Sequence, residues 1–361
     1  MPTRYCSSGA PYLSPELHPG RSFTNDVIVL DGMWGTGKSI LSSLIGSLEG
    51  VEKKKLDHVF EYVCIGRSLG SVSHDFAVSM VRVYADLDQY NNLIAREVNL
   101  RPGDDSGFKN TPGSFRYLRR LFGPEGDAIV DRINRENLAL LLVSHHLSAV
   151  SRPMFDALGT RLYLVEVLRH PLQLVKYWTQ YFEDFERSRE FTLGTMHSGT
   201  RVPWFAMDWC ERFVMMKPID RAVASIHQLQ SASLNQECDA VKASSTLIRA
   251  PLLIPFEALI TETTTVLADV SRYVGRGTTS RTTRAMKRQR VPRSLSDRGR
   301  KSNSRSWVPN TSITYRDQLD QIRDWIRTTG SAHSQVLIDE AVTQYESRFP
   351  VVAELSPRPH R

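Results

Sequence analysis

The chain has 361 residues, of which 41% are apolar and 24% charged. These proportions are typical of a globular protein with a sizeable core, and they exclude collagen-like, disulfide-scaffold and wholly disordered chains. The net charge of +7 is unevenly distributed: eleven basic residues and one acidic residue lie between Arg276 and Arg305, so this segment carries +10 and the rest of the chain −3.

The length allows either two domains or one large α/β domain. The four cysteines, at positions 6, 64, 210 and 238, are far apart and form no CxxC pair, which favours neither a zinc site nor a disulfide framework. No segment has the apolar run of a signal peptide or of a membrane-spanning helix. We therefore expect a cytoplasmic protein that does not enter a membrane.

Strands and helices are predicted to alternate along the chain, after a flexible lead-in at 1–25. Short apolar runs between turn residues indicate buried strands at 26–30, 138–143, 162–167 and 247–255. Apolar residues at helical spacing indicate helices at 38–48, 75–100, 152–158, from Pro171 onward, 256–274, 315–328 and 333–348. The alternation predicts an α/β fold of three layers, α/β/α, with a central, mostly parallel sheet.

The predicted domain spans 26–312. Its basic segment, 276–312, is rich in Arg, Ser and Thr without an apolar period, and we expect it to be a loop. Residues 313–361 are predicted to form a C-terminal helical extension that packs on the same domain.

A glycine-rich turn connects the first predicted strand to the first helix. Residues 32–39 read GMWGTGKS, which matches the phosphate-loop pattern GxxxxGK[ST]. In such a loop, backbone N–H groups converge on an anion at the helix N-terminus, and Lys38 adds a positive charge. The alternative is a tight corner without a ligand, but the strand and the helix on either side favour the phosphate loop.

The next two predicted strands do not end in aspartate, although enzymes that cleave ATP or GTP usually bind Mg²⁺ with an aspartate at that position. The strand at 138–143 is followed by His145 and His146, and the strand at 162–167 leads to Arg169. Histidine and arginine at strand ends suit a metal-free group transfer, with a base for the acceptor and a cation for the donor.

With these features the chain resembles the P-loop sulfotransferases, whose donor is 3′-phosphoadenosine 5′-phosphosulfate. Residues 142–147, LVSHHL, resemble the family's strand ending in KTHLP, and residues 163–171, YLVEVLRHP, resemble its strand and RxP turn. Residues 300–307, RKSNSRSW, resemble its closing RKGxxGxW segment, and residues 255–259, PFEAL, resemble its YEDL helix. The resemblance covers about residues 25–310 and rests on the order and spacing of motifs.

The resemblance implies transfer of a sulfuryl group to a hydroxyl or amine of a small-molecule or carbohydrate acceptor, without a metal. The residues implied to hold the 5′-phosphosulfate are Gly35, Thr36, Gly37, Lys38 and Ser39. The residues implied to hold the 3′-phosphate are Arg169, Tyr177, Arg300 and Lys301. Lys38 would also stabilise charge on the leaving oxygen, and His145 would be the base.

The chain departs from the family's motifs at several positions. Gly35 stands where the family has lysine, and Lys38 stands where it has the first threonine. Tyr177 replaces a serine and can still donate one hydrogen bond. The remaining replacements are Val143 for the lysine before the histidine, and Ser302 and Arg305 for the closing glycines.

The identity of the base stays open among His145, His146 and Glu61. Adjacent residues at a strand end point to opposite sides, so one histidine can face a cleft while the other packs. His145 matches the motif better, and Glu61 is interpreted as a buried structural carboxylate. For Arg169, the alternative to an anion is a surface ion pair with a carboxylate such as Glu166.

Two other functions remain open. The sequence GKS at 37–39 suits an ATP- and Mg²⁺-dependent kinase of small molecules or nucleotides. A non-enzymatic nucleotide- or nucleic-acid-binding protein would use 276–305, but no aromatic residue is interleaved there, and we expect no nucleic-acid partner. The favoured interpretation of the segment is a solvated loop whose end, Arg300 and Lys301, closes over the donor.

Overall fold

The structure is a computed structural model that describes residue 17 and residues 22–56, 58–96, 98–101, 107, 114–185, 191–242, 249–297 and 313–350, with the backbone alone for 236–242. Most of the predicted lead-in and the predicted site residues Arg300 and Lys301 lie outside the described residues. None of the helices in these ranges is long and apolar enough to cross a membrane.

A five-stranded parallel sheet forms the centre of the fold. The strands of the described ranges are β1 (Val27–Asp31), β2 (Val51–Leu56), β3 (Ala139–Val143), β4 (Leu162–Leu168), β5 (Gly194–His197), β6 (Thr200–Pro203) and β7 (Leu252–Pro255). The sheet has the order β2-β3-β1-β4-β7, and β5 and β6 form a separate antiparallel hairpin. The middle strand, β1, pairs in parallel with β3 and β4, which places Asp31 opposite Glu166 at one end.

Helices cover both faces of this sheet. They are α1 (Lys38–Ile45), α2 (Val59–Ser68), α3 (His74–Leu93), α4 (Phe115–Arg120), α5 (Asp127–Glu136), α6 (Arg152–Leu158), α7 (Pro171–Glu183), α8 (Cys210–Met215), α9 (Pro218–Lys242), α10 (Phe256–Thr261), α11 (Thr263–Val274), α12 (Ser280–Gln289), α13 (Tyr315–Thr329) and α14 (Ala332–Arg348). Because β1 is buried on both faces, all five of its residues are buried. Ile28 and Leu30 pack with α1 and α11, whereas Val27 and Val29 pack with α2, α3 and α6. The predicted three-layer α/β fold with a parallel central sheet is confirmed.

The two C-terminal helices pack against α7 and α9. Leu319 and Ile322 of α13 share one apolar cluster with Leu172 of α7. The buried carboxylate of Glu257 accepts hydrogen bonds from the Tyr315 hydroxyl at 2.7 Å and from the Tyr345 hydroxyl at 2.5 Å. These bonds tie both helices to the start of α10, next to the end of strand β7.

The prediction that the whole segment 276–312 is a loop is wrong, because α12 lies within it. Thr279 caps the helix in a capping box with Thr282, an arrangement that satisfies free N–H groups of the first turn. Thr282, Ala285 and Gln289 recur at steps of three and four residues and are buried. The neutral face packs on α1, where Gln289 donates to the Ser43 hydroxyl at 3.0 Å. The arginines and lysines on the remaining positions concealed this period.

Strand β2 was not predicted, because three consecutive lysines follow its first two residues. Its Glu52 is buried and accepts two hydrogen bonds from Arg120, at 2.7 and 2.9 Å. A doubly hydrogen-bonded ion pair of this kind compensates the cost of burying the carboxylate. Arg120 lies 68 residues after Glu52 in the chain. The local sequence of the strand therefore does not show that its glutamate is paired and buried.

Several predicted boundaries are also corrected. The helices predicted at 38–48 and 75–100 end at Ile45 and Leu93, and the strand predicted at 247–255 begins at Leu252. The helix predicted at 256–274 is divided into α10 and α11 at Glu262, whose ψ of 37° departs from helical geometry.

Candidate functional site

The glycine-rich loop between β1 and α1 has backbone geometry that larger residues do not adopt. Gly32 and Gly37 have φ values of +139° and +93°, which L-residues with a Cβ rarely occupy. A Cβ at Gly32 would collide with the Val167 carbonyl oxygen, and a Cβ at Gly37 would lie 2.5 Å from the Phe256 ring. The loop is therefore closely packed against the end of β4 and the first residue of α10, and α1 begins directly after Gly37.

Lys38 is the first residue of α1, and its side chain reaches back into the loop. Its ammonium group donates to the carbonyl oxygens of Gly32 and, at 2.9 Å, of Met33. Burial lowers the pKa of Lys38 to about 8, although the nearby carboxylates of Asp31, Glu61 and Glu166 act in the opposite direction. The Lys38 side chain thus connects the start of α1 to the beginning of the loop through two hydrogen bonds. Its predicted contact with a donor stays a prediction.

Two buried carboxylates lie at the end of β1 and the adjacent position of β4. Asp31 accepts from the Ser144 hydroxyl at 2.8 Å and from the Ser148 N–H at 2.7 Å. Glu166 accepts from the hydroxyls of Ser148 at 2.7 Å and Ser233 at 2.6 Å. Burial, and next the charge of Asp31, raise the pKa of Glu166 to about 8. All four carboxylate oxygens are thus occupied by serine or backbone donors.

Arg169 contacts the loop and does not pair with Glu166, so that alternative is wrong. Its guanidinium donates to the Gly35 carbonyl oxygen at 2.8 Å and lies 4.3 Å from the centre of the Phe256 ring. The structure also places the Tyr177 ring against Gly35, since a Cβ on that glycine would lie 3.7 Å from the ring. The predicted residues Gly35, Arg169 and Tyr177 therefore lie together.

His145 and Glu61 form a hydrogen-bonded pair on the wall of the neighbouring cleft. Glu61 Oε1 accepts from the His145 backbone N–H at 2.8 Å and lies 3.1 Å from His145 Nδ1, while Glu61 Oε2 lies 3.2 Å from His58 Nδ1. Burial by itself would raise the pKa of Glu61, but the hydrogen bonds from His145 and His58 hold it at about 2. An ionised carboxylate at Nδ1 favours the tautomer with its proton there, which leaves a lone pair on Nε2.

His145 also remains neutral more readily than a free histidine. Burial and the positive charge of Lys38 lower its pKa, against the opposing effect of Glu61. Glu61 is buried, as its interpretation as a buried structural carboxylate predicts, and it also contacts the candidate base. The two residues are 84 positions apart in the chain, so their contact is not visible in the sequence.

His146 has a different environment from its neighbour. It has a φ of 57° and is buried, with its ring 4.3 Å from Trp34 and 5.3 Å from Trp178 in edge-to-face contact. Neither ring nitrogen has a hydrogen-bond partner within the described residues. Burial, with Lys38 and His145 contributing, lowers the pKa of His146 well below its ordinary value. Of the adjacent histidines, His146 packs among aromatic rings and His145 engages a carboxylate.

Trp34, in the middle of the glycine-rich loop, connects the loop to the cleft. Its ring packs 4.7 Å from that of Tyr181, and its carbonyl oxygen accepts from the Trp178 indole at 3.2 Å. The cleft has a volume of about 350 Å³, which suits a small molecule. The aromatic residues that line it are Trp34, Tyr62, Tyr177, Tyr181, Phe191 and Trp204. Sequence reasoning missed Trp34 as a site residue, although its position inside a phosphate loop was a usable signal.

Comparisons with known proteins give similarity in structure alone. No family model matches the chain, and no curated protein has significant similarity to it. The sulfotransferase domain of the Curacin biosynthetic pathway is 10% identical over 90% of this chain and 99% of its own, with a TM-score of 0.44. The sulfotransferase domain of the Synechococcus PCC 7002 olefin synthase is 12% identical over 91% and 96%, with a TM-score of 0.43. Sulfotransferase STF1 of Mycobacterium tuberculosis H37Rv is 12% identical over 85% of this chain and 77% of its own, with a TM-score of 0.37. Similarity of this degree does not assign an activity, which must come from the chain's own residues.

Proposed function

We propose that the chain is a sulfotransferase that moves a sulfuryl group from 3′-phosphoadenosine 5′-phosphosulfate to a hydroxyl or amine of an acceptor in the aromatic cleft. The observation that carries the proposal is the junction at Trp34, where an anion-binding type of loop and the His145–Glu61 pair adjoin the same cleft. Transfer of an anionic group to a nucleophile needs these two parts side by side.

The donor side of the site is the loop, the N-terminus of α1 and Arg169. The loop N–H groups and the helix dipole favour the phosphosulfate. The Nε of Arg169 is buried and has no hydrogen-bond partner among the described residues, so it suits an additional anion contact. Tyr177 is the proposed neighbour of Arg169 at the 3′-phosphate. Arg300 and Lys301, outside the described residues, are proposed for the same phosphate.

The acceptor side supplies a base. Nε2 of His145 takes the proton of the acceptor hydroxyl or amine as the acceptor's oxygen or nitrogen forms a bond to sulfur. The bond between sulfur and the bridging oxygen of the donor breaks, and its electron pair stays on adenosine 3′,5′-bisphosphate. Lys38 and the loop N–H groups stabilise that charge, while Glu61 stabilises the imidazolium that forms.

The aromatic walls suggest which acceptors enter. Tyrosine and tryptophan rings pack against flat apolar molecules and against the apolar faces of sugar rings, while their polar atoms hydrogen-bond to hydroxyl groups. We therefore propose a small phenolic or carbohydrate acceptor.

The kinase alternative is supported by the GKS sequence at 37–39. A kinase would need a carboxylate for Mg²⁺ near the loop. Asp31 at the end of β1 and Glu166 on β4 are such carboxylates, and each of their oxygens accepts one hydrogen bond. Ligand binding therefore separates the kinase from the sulfotransferase.

Thermal unfolding with ligands separates the two functions. A ligand at a hundred times its Kd should add about 2.7 kcal/mol to the free energy of unfolding. We expect adenosine 3′,5′-bisphosphate to raise the Tm more than ATP with Mg²⁺ does. Lys38→Met should reduce the bisphosphate effect, whereas the exposed control Lys217→Met should keep it. If ATP with Mg²⁺ raises the Tm and adenosine 3′,5′-bisphosphate does not, the proposal is refuted in favour of a kinase.

A further inference from the structure

Three metal-ligating side chains meet on the wall of the cleft. His58 immediately precedes α2, Glu61 lies in the first turn of that helix, and His145 follows β3. One nitrogen of each histidine and one carboxylate oxygen all lie within 4.8 Å of one another, and this is the only such group found among the described residues.

The separations fit a single ion. Zinc binds nitrogen and oxygen at about 2.1 Å, so neighbouring ligands lie about 3.0 Å apart in octahedral and about 3.4 Å apart in tetrahedral coordination. Glu61 Oε2 lies 3.2 Å from His58 Nδ1, and Glu61 Oε1 lies 3.1 Å from His145 Nδ1, so each histidine has one carboxylate oxygen at ligand spacing. Because the ligand atoms of the group lie within 4.8 Å of one another, a side-chain adjustment of about 1 Å would let them share one ion in place of the two hydrogen bonds.

The ligand set and its surroundings also suit a transition metal. Two imidazoles and one carboxylate are a donor set that Zn²⁺ and related ions prefer, and three protein ligands leave a position open toward the cleft. The His58 side chain is 52% exposed, which gives an ion a direct route from solvent. The positive charge of Lys38 reaches His145 and opposes cation binding, so the bonds from the three ligands must outweigh this repulsion.

We propose that the cleft binds one divalent transition-metal ion through His58, Glu61 and His145, and that Zn²⁺ occupies this site. This goes beyond the sequence analysis, in which no metal is expected. A metal on Nδ1 of His145 keeps the ring proton on Nε2, so His145 can no longer accept a proton from an acceptor. Zn²⁺ should therefore inhibit transfer; that consequence rests on the proposed function, whereas the binding does not.

Calorimetry with Zn²⁺ alone, on the full chain, tests the site. We expect one ion per chain for the wild type and for the control His333→Gln, whose histidine is exposed on α14. His58→Gln keeps a hydrogen-bonding side chain beside Glu61 but removes a ligand nitrogen, and it should bind at least about tenfold more weakly. Equal affinity in wild type and His58→Gln, or no stoichiometric binding by the wild type, would overturn the proposal.

A spectroscopic arm uses the wild type only and so does not depend on the folding of a variant. Co²⁺ should give visible ligand-field absorption of a histidine-bound site, and Zn²⁺ should displace it; a spectrum of hydrated Co²⁺ would contradict the assignment. Neither arm contains a sulfuryl donor or acceptor. If Zn²⁺ binds as expected but the zinc-free chain transfers no label from the donor to any acceptor, the proposed function fails while the metal site stands.

Discussion

The loop and the cleft are built in opposite ways. The loop is one continuous segment whose shape depends on glycine backbone angles and on the internal bonds of Lys38. The cleft is assembled from side chains of α2, α7, the segment after β3 and the start of a short turn at Trp204. A site formed by one continuous backbone segment tolerates few substitutions, whereas a site assembled from separate side chains can change its specificity one side chain at a time.

Substitution of His145 should lower kcat far more than substitution of the adjacent His146. His145→Gln should lower kcat about 10²–10⁴-fold, because the proton acceptor is lost. His146→Phe keeps the ring packing around Trp34 and should cause a much smaller loss. Steady-state kinetics with labelled donor, alongside calorimetric Kd values for the bisphosphate, provide the measurement. Equal losses in both variants would show that packing, and not base chemistry, explains the effect.

The next prediction concerns the loop backbone. Gly37→Ala places a Cβ 2.5 Å from the Phe256 ring at a φ of +93°, and it should lower the free energy of unfolding by at least about 2 kcal/mol. The matched control is Gly70→Ala, where φ is +71° and no atom lies within 4 Å of the new Cβ. The control should cost about 1 kcal/mol, from backbone strain alone. Urea unfolding measures both values, and equal costs would contradict the proposed packing of Phe256 on the loop.

Substitution of Arg169 tests whether its guanidinium, which contacts the loop, binds an anion. Arg169→Ala should raise the Kd for adenosine 3′,5′-bisphosphate about 10–100-fold, because a charge-assisted hydrogen bond contributes about 1.5–3 kcal/mol. Arg249 is a suitable control, since its guanidinium also packs on a ring, 3.8 Å from the centre of Tyr163, without contacting the loop. Calorimetry should find the Arg249→Ala value within about threefold of wild type; similar losses in both variants would argue against a specific role.

The smallest effect is on stability and involves the carboxylates behind the loop. Burial and Asp31 raise the folded-state pKa of Glu166 to about 8 from its ordinary value of 4.5. The unfolded chain releases this proton at lower pH than the folded chain, so the free energy of unfolding should fall as the pH rises from about 4.5 to about 8. Glu166→Gln, which stays neutral, should remove much of this fall and be more stable by on the order of 2 kcal/mol at about pH 8.

Urea unfolding at about pH 5 and about pH 8 gives the comparison. The control is Glu262→Gln, at an exposed position, which should leave the pH dependence as in the wild type. A Glu166→Gln variant with the wild-type pH dependence would show that Glu166 is not the responsible group.

Features formed by continuous segments could be predicted from the sequence, whereas contacts between distant side chains could not. The strands at 26–30, 138–143 and 162–167 and the loop at 32–39 were predicted because each is encoded in contiguous residues: an apolar run, or glycines with a following lysine. The contact between Glu61 and His145 could not be predicted, since it depends on the packing of α2 beside the end of β3. Strand β2 was missed for the same reason, because a distant arginine pairs with its buried glutamate.

A direct transfer assay tests whether the loop and the cleft form the two halves of one sulfuryl-transfer site. The zinc-free wild-type chain is incubated with sulfur-labelled 3′-phosphoadenosine 5′-phosphosulfate, or with γ-labelled ATP and Mg²⁺, in the presence of a phenol or a glycoside. We predict that label passes to the acceptor from the phosphosulfate donor, with release of adenosine 3′,5′-bisphosphate. Transfer of label from ATP, with none from the phosphosulfate donor, would show that the loop and the cleft do not form a sulfuryl-transfer site.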